Sequence, residues 1–424
     1  MPLLWIGHAI ELSALALFLW AFAEMRKRGS GVAQELLVAA AYGWILEVFD
    51  MMIFGSYHYG PLTWAWLGHV PIYIPLLWAT IIHSSMELSD RSGIPEWARP
   101  ALDGLLAVLI DLAIDAIAIR LGLWSWRIPL NEGWFGVPAG NLCAWMWVAV
   151  WYSGVTRFVR GRIERRGEPA WHRWLVPMVA YPGLLASLIA IGFLGDSIGL
   201  RTPNQRLWLF AIHVVVFSLV VAYAARQRRA AVSSRLSPSL LWSRWAMHGS
   251  FLLLWACVPE IRTVKGLGLL AASAVLLEAL VVRWCDEGSA EGRPLVVYDG
   301  ECGLCAGCLK WLYRLDWLHV FDARPYQDRA LYRQFPQLNY AACEKAMYLV
   351  LPDGRFFAGP DAFKEIFLRM PLTAGVGLLM SVPGVTYLLQ PAYRWIADNR
   401  YRISGRCRLP ALRAERPPRS AFRS

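Results

Sequence analysis

Three cysteines stand three residues apart in LVVYDGECGLCAGC, residues 295–308: Cys302, Cys305 and Cys308. An apolar run, a turn at Asp299-Gly300 and then a helical pattern put Cys302 and Cys305 at a strand-to-helix turn. That position suits dithiol chemistry. A thiolate at a helix N-terminus is stabilised by free backbone N–H groups and by the helix dipole. A second cysteine one turn further in is close enough to close a disulfide. Two other readings stay open. Zinc could take Cys302, Cys305 and Cys308, with Cys343 or Cys407 as a fourth ligand; a structural zinc site usually draws on a second C-x-x-C or C-x-x-H pair, and outside this run the sequence has none. The thiols could also be inert. Cys308, one turn deeper, reads as a small buried residue rather than a third redox partner.

The second set of candidates is acidic. Glu47 and Asp50 lie three apart in one apolar segment, and Asp111 and Asp115 lie four apart in another. Each spacing puts both carboxylates on one helix face. Ionisable groups inside apolar segments are costly, so they are expected to pair or to work. Helix–helix hydrogen bonding explains any one of them, but four together exceed what packing needs. Asp103 shares the segment of Asp111. His69 and Glu87 fall at segment ends, and Glu11, His213 and Glu278 stand isolated.

The elements that must position these residues are mostly membrane-like. Of 424 residues, 57% are hydrophobic, only 17% are charged and 23 are Trp. Such a chain cannot hide its apolar surface in one aqueous core, so a bilayer is its solvent. Nine apolar segments approach the spanning length of about 20 residues: 3–23, 35–55, 68–88, 101–122, 139–157, 174–194, 206–225, 245–259 and 266–284, the eighth being short. The fold class expected is therefore a polytopic α-helical membrane domain of about eight or nine transmembrane helices over residues 1–284. The first segment is read as a membrane helix rather than a signal peptide, because its basic residues follow the apolar run. Arg26, Lys27, Arg28, Arg157, Arg160, Arg162, Arg165, Arg166, Arg226 and Arg228 concentrate in alternate loops. The positive-inside rule then puts the N-terminus outside and everything after Trp284 in the cytosol, with the cell's inner (plasma) membrane as the location. The net charge of +11 belongs to those loops, not to nucleic-acid binding.

After Trp284 the composition changes. Residues 285–293 read as a linker. Residues 294–407 alternate short β-like and helical runs, as a small α/β domain would. LVVYD and KAMYLVL read as strands, Leu304 to Leu315 and Pro360 to Met370 as helices, and 371–391 as an apolar stretch able to touch a membrane surface. Residues 408–424 read as a basic disordered tail.

YDGECGLCAGCLKWL, DARPYQ at 322–327, AMYLVLPDGRFFAGPDAFKEIFLRMP at 346–371 and YRWIADNRYRISGRC at 393–407 together resemble the DCC family of thiol-disulfide oxidoreductases, whose mark is Asp-Gly-x-Cys-x-x-Cys. The resemblance implies a thioredoxin-like fold, a catalytic Asp299, an attacking Cys302, a resolving Cys305 and a cytosolic thiol or disulfide partner. One departure is visible: thioredoxin-like sites pack a proline just before a later strand, and here AACEK at 341–345 supplies none.

FGSYHYGPLTWAWLGHVPIYIPLLWA at 54–79 and DLAIDAIAIRLGLWSWRIPLNEGWFGVPAGNLCAW at 111–145 resemble the carotenoid-biosynthesis membrane family that includes carotenoid 1′,2′-hydratases, over a core of about 35–240. Such proteins carry Pro after the second Asp, where this chain has Ala116. The resemblance implies acid-catalysed hydration of an isolated C=C bond in a long isoprenoid or carotenoid entering from lipid. Asp111, Asp115, Glu47 and Asp50 would share the catalysis, Tyr57, His58, Asn141, Trp124 and Trp126 would bind substrate, and no cofactor or metal would be required. The alternatives are an anchor, a lipid or quinone binder, or a proton-coupled transporter, with the C-terminal domain as a zinc-binding or regulatory module. No internal repeat supports transport.

Overall fold

The structure, a computed structural model, describes residues 2–53, 55–228, 236–287, 293–316, 320–352, 354–370, 373–382 and 384–404. Cys407, the tail 408–424 and residues 288–292 of the expected linker lie outside the described residues. The chain divides into two compact units, Met1–Ser289 and Ala290–Ser424.

The first unit is a helical bundle. Its helices are α1 (Pro2–Arg28), α2 (Ser30–Ile53), α3 (Tyr73–Arg91), α4 (Arg99–Ala118), α5 (Ala139–Arg166), α6 (Val176–Ser197), α7 (Pro203–Ala225), α8 (Pro238–Cys257), the single turn α9 (Pro259–Arg262) and α10 (Lys265–Glu287). Local chemistry sets several ends. Thr202 caps α7 in a reciprocal box with Gln205, and Pro203 follows where a missing N–H costs nothing. Gly167 ends α5 in the left-handed region at φ 67°. α10 runs to Glu287, three residues into the stretch expected as linker. Four short strands lie among the first helices: β1 (Tyr57–Tyr59), β2 (Trp66–Leu67), β3 (Val70–Pro71) and β4 (Trp124–Trp126). β1 and β4 pair antiparallel, with Tyr57 opposite Trp126 and Tyr59 opposite Trp124.

Among the described residues, five helical stretches are long and apolar enough to cross a membrane: Leu4–Arg28, Ser30–Ile53, Ala170–Ser197, Pro203–Ala225 and Lys265–Cys285. This is a membrane protein, but the expected eight or nine spans are not reached by that criterion. The segments that fall short are α3, α4, α5 and α8, and the reason is visible. Their polar groups are satisfied by neighbouring helices rather than by apolar sequence. Arg157 of α5 donates to Asp103 of α4 at 2.6 Å and to Asp90 of α3 at 2.9 Å. Arg160 and Arg173 both hold Glu35 of α2. Arg244 of α8 pairs with Glu278 of α10 and donates to the Leu106 carbonyl of α4 at 2.8 Å. Asp103 is thus an ion-pair partner and not part of a reactive cluster. Glu278 is not isolated either, nor is Glu11, which accepts the backbone N–H groups of Trp64 and Ala65 at 2.9 Å each. Glu87 takes part in the same kind of tie, accepting from Arg28 and from the Ser237 hydroxyl.

Arg244 and Glu278 are both 0% exposed, so removing one partner strands a buried charge, at a cost of about 3–5 kcal/mol. Glu278→Ala should lower the thermal midpoint in detergent sharply, whereas a paired replacement by Arg244→Met and Glu278→Leu should recover most of it. Equal loss in both variants would show that the pair matters by shape alone.

The second unit is a four-stranded mixed sheet with helices. Its elements are β5 (Leu295–Tyr298), α11 (Gly303–Leu315), β6 (Asp322–Pro325), α12 (Arg329–Gln334), α13 (Tyr340–Lys345), β7 (Tyr348–Val350), β8 (Phe356–Ala358), α14 (Pro360–Leu368), α15 (Ala374–Met380) and α16 (Val385–Ser404). The sheet order is β6-β5-β7-β8. β5 runs parallel to β6 and antiparallel to β7, and β7 runs antiparallel to β8. β5 is buried on both faces, which its unbroken apolar run LVVY requires. The stretch 371–391 contains α15 and the start of α16. The element before β7 is α13, so a helix and not a proline leads into that strand.

Candidate functional site

In the second unit, β5 ends at Tyr298 and the chain turns through Asp299-Gly300-Glu301 into α11, whose N-cap is Cys302. Cys302 is 0% exposed, Cys305 is half-buried and Cys308 is exposed. What covers Cys302 is the last turn of α16. Ser404 Oγ lies 3.9 Å from Cys302 Sγ and accepts the Leu304 N–H at 2.9 Å. That N–H belongs to the first turn of α11, where a thiolate at the N-cap would seek its donors. Gly303 permits the approach: a Cβ there would meet the Ser404 carbonyl oxygen at 2.9 Å.

Asp299 holds this cap in place rather than touching sulfur. Its carboxylate accepts from Arg400 Nε at 3.1 Å and from the Tyr401 hydroxyl at 2.5 Å, both on α16. It also accepts from the Glu301 N–H and from Gln327 Nε2. Burial pushes its pKa up, but the Tyr401, Glu301 and Gln327 hydrogen bonds and the Arg400 charge outweigh burial and hold it below the usual carboxylate range. Burial, then the neighbouring Cys302, push the Cys305 thiol up to about 12. Cys343 lies in α13 with Tyr332 and Tyr348 around it. Among the described residues, no three His, Cys, Asp or Glu side chains are grouped so as to hold a metal ion.

In the first unit, a cavity of about 470 Å³ is walled by α2, α3, α4, α5, β1 and β4. Its lining is apolar and aromatic, with Trp78, Trp124, Trp126, Trp145, Tyr57 and Tyr59 prominent. The polar groups in its wall include the carboxyl groups of Glu47, Asp50 and Asp115, the amide of Asn141, the Ser56 hydroxyl and the Arg206 guanidinium. Glu47 is held by three donors. The hydroxyls of Tyr57 and Tyr59 donate to Oε2, the latter at 2.5 Å, and Trp78 Nε1 donates to Oε1 at 2.7 Å. Trp78 reaches it because α2 and α3 pack closely at Gly43, where a Cβ would come within 2.7 Å of Trp78 Cβ. Asp50 accepts from the Ser56 hydroxyl at 3.4 Å. Asn141 Nδ2 donates to Asp115 at 2.5 Å and to Asp111 at 3.3 Å.

The structure therefore brings together Glu47, Asp50, Asp115, Asn141, Tyr57, Trp124 and Trp126, and sets Asp111 behind Asp115, away from the cavity. His58 is a correction. Alternation along β1 turns Tyr57 inward and His58 outward, and His58 is exposed and absent from the lining. The same alternation in YHY was the signal that would have found Tyr59. Trp78, within an apolar run, gave none.

Residues 296–406 match the family described as DCC1-like thiol-disulfide oxidoreductase. Residues 7–198 match the family described as carotenoid biosynthesis protein. The chain is a fusion of regions similar to these two families. Each match covers less than half of the chain. No curated protein and no solved structure matches it.

The cap over the dithiol of the DCC1-like unit has two measurable consequences. A hydrogen bond to a charged group contributes about 1.5–3 kcal/mol, so Arg400→Ala should speed alkylation of Cys302 in the native protein by about tenfold or more. No change would show that α16 does not control access. In a Cys302→Ser background, Cys305 should label slowly at neutral pH. Its rate should climb about tenfold per pH unit into the alkaline range, because the thiolate is the nucleophile and the raised pKa keeps it scarce. A plateau near neutral pH would contradict this.

Proposed function

We propose that the DCC1-like unit catalyses thiol-disulfide exchange, with Cys302 as the attacking thiol and Cys305 as the resolving one. The observation that carries this is the placement of Cys302 at the N-cap of α11, at the end of the central strand β5, with Cys305 one turn in. The strand order, in which β7 alone runs against its neighbours, with a β-α-β unit followed by a β-β-α unit, supports a thioredoxin-like fold. Asp299 is a positioning residue in this reading: it fixes the turn and the α16 cap. Attack needs the cap to open, and the partner is a thiol or disulfide protein in the cytosol. The basic loops support a cytosolic placement of this unit, an N-terminus outside and residence in the inner (plasma) membrane. Passage of α3, α4, α5 and α8 through the bilayer as well belongs to the same reading.

For the membrane unit we propose hydration of an isolated C=C bond in an isoprenoid or carotenoid. What favours this over an anchor or a quinone binder is the wall of the cavity, where two phenols and an indole N–H are spent on one carboxylate, Glu47, beside Asp115 and Asp50. A carboxyl that gives up a proton and a fixed carboxylate that faces the resulting cation are the two groups such a hydration needs. Tyr57, Asn141, Trp124 and Trp126 would shape the substrate site. Trp126 Nε1 is buried without a partner, a donor free to orient water. Neither reaction needs a cofactor. The test is to supply membranes containing the full-length protein with an acyclic carotenoid bearing a terminal isopropylidene group. Gain of one water as a tertiary alcohol is the expected product. Recovery of unchanged substrate across a series of chain lengths would remove the hydration reading and leave the thiol reading standing.

A further inference from the structure

Asp111 and Asp115 differ from Glu47 in how they are held. They lie one turn apart on α4, and both carboxyl groups converge on one side chain of α5. Their common donor is a single amide, Asn141 Nδ2. Asp111 is 0% exposed, and its Oδ1 is buried with no hydrogen-bond partner. No arginine, lysine or histidine pairs with either carboxyl among the described residues, although Asp103 on the same helix has Arg157.

An ionised carboxylate can only accept hydrogen bonds, so two buried carboxyl groups with one amide between them lack donors unless the pair carries a proton. Two adjacent unpaired charges buried in an apolar unit would also cost far more than one. Glu47 is held differently, by three donors and with no acidic partner among its hydrogen bonds, an arrangement that favours its charged form over its neutral one. Of the pair, Asp115 alone reaches the cavity.

We propose that Asp111 and Asp115 share one proton, that Asp115 delivers it to the substrate double bond, and that Asp111 is the positioning residue that keeps it there. This rests on the hydration reading above. The Asp115 O–H bond breaks, the π pair forms a new C–H bond at the less substituted carbon, and a tertiary cation is left facing ionised Glu47. A solvent water adds through its oxygen, forming the C–O bond, and its surplus proton returns to the Asp115 carboxylate. The sum is alkene plus water to tertiary alcohol, with no oxidation or reduction and the acid restored.

The test pairs infrared difference spectroscopy with kinetics on the full-length protein in lipid nanodiscs. At neutral pH the native protein should show a carbonyl band of a protonated carboxyl group, shifting in D₂O, that Asp111→Asn/Asp115→Asn loses and Glu47→Gln keeps. Asp115→Asn should lose hydration by at least about a hundredfold. Asp111→Asn should keep KM, lower kcat, and move the alkaline limb of the pH–rate profile to lower pH; Asp111→Glu should restore much of it. A band that survives in the double variant, or normal hydration by Asp115→Asn, overturns the assignment while hydration itself stands. A band that behaves as expected in a protein that hydrates nothing overturns the delivery step together with the hydration reading.

Discussion

Cys302→Ser should abolish disulfide exchange by the DCC1-like unit, and Cys305→Ser should arrest it at a mixed disulfide. The reason lies in the turn between β5 and α11. The sulfur at the N-cap is the one that the N–H groups of the first turn can serve as a thiolate once the Ser404 cap has opened. Cys305, half-buried and pushed up to about 12 chiefly by burial, makes a poor first nucleophile. Its place one turn behind Cys302 suits it to resolve what Cys302 has formed. Incubation with a small-molecule disulfide, followed by intact-mass measurement, reads both outcomes. Cys302→Ser should gain no adduct within the time the native protein turns over, and Cys305→Ser should gain one that persists. An adduct forming first on Cys305 or Cys308 would reverse the roles and point to the exposed end of α11 as the reactive one.

Glu47→Gln should cut hydration by about a hundredfold or more, with the bundle still folded. Tyr57, Tyr59 and Trp78 all present hydrogens to this carboxylate. An amide in its place loses the charge that faces the cation and turns an NH₂ toward at least one of those donors. Removing one preorganised electrostatic partner of a developing charge typically costs about a hundredfold to a thousandfold in rate. Tyr57→Phe, which leaves the charge and two donors, should cost much less. Product formation under saturating substrate, with the thermal midpoint as a folding control, checks this. Equal rates in Glu47→Gln and the native protein would place the chemistry elsewhere in the cavity.

The sequence made parts of this legible for physical reasons. Burial on both faces writes an unbroken apolar run, so LVVY announced β5, and the Asp-Gly turn after it announced the N-terminus of α11. Spacings of three and four put Glu47 with Asp50 and Asp111 with Asp115, and the helices keep those faces. What spacing cannot show is which neighbour satisfies an ion. Asp103 and Asp111 look alike in one segment, yet Arg157, more than fifty residues on, neutralises the first. Glu278 looked isolated for the same reason, since Arg244 approaches it from another helix. α3 and α4 are largely buried among other helices, which their apolar sequences alone do not show. The cap on Cys302 was hidden most completely. Ser404 and Arg400 lie a hundred residues from the turn they cover, and only the folding of α16 onto α11 brings them there.

The measurement that bears most directly on the whole account is the thiol state of the full-length protein equilibrated in glutathione buffers, with zinc determined on the same sample. A reversible disulfide between Cys302 and Cys305, with a potential of roughly −200 to −300 mV and no bound zinc, is the result expected of a dithiol exchange site. Stoichiometric zinc, or thiols that never pair at any poise, would contradict it and leave the carboxylates of the membrane unit as the only reactive centre described in the chain.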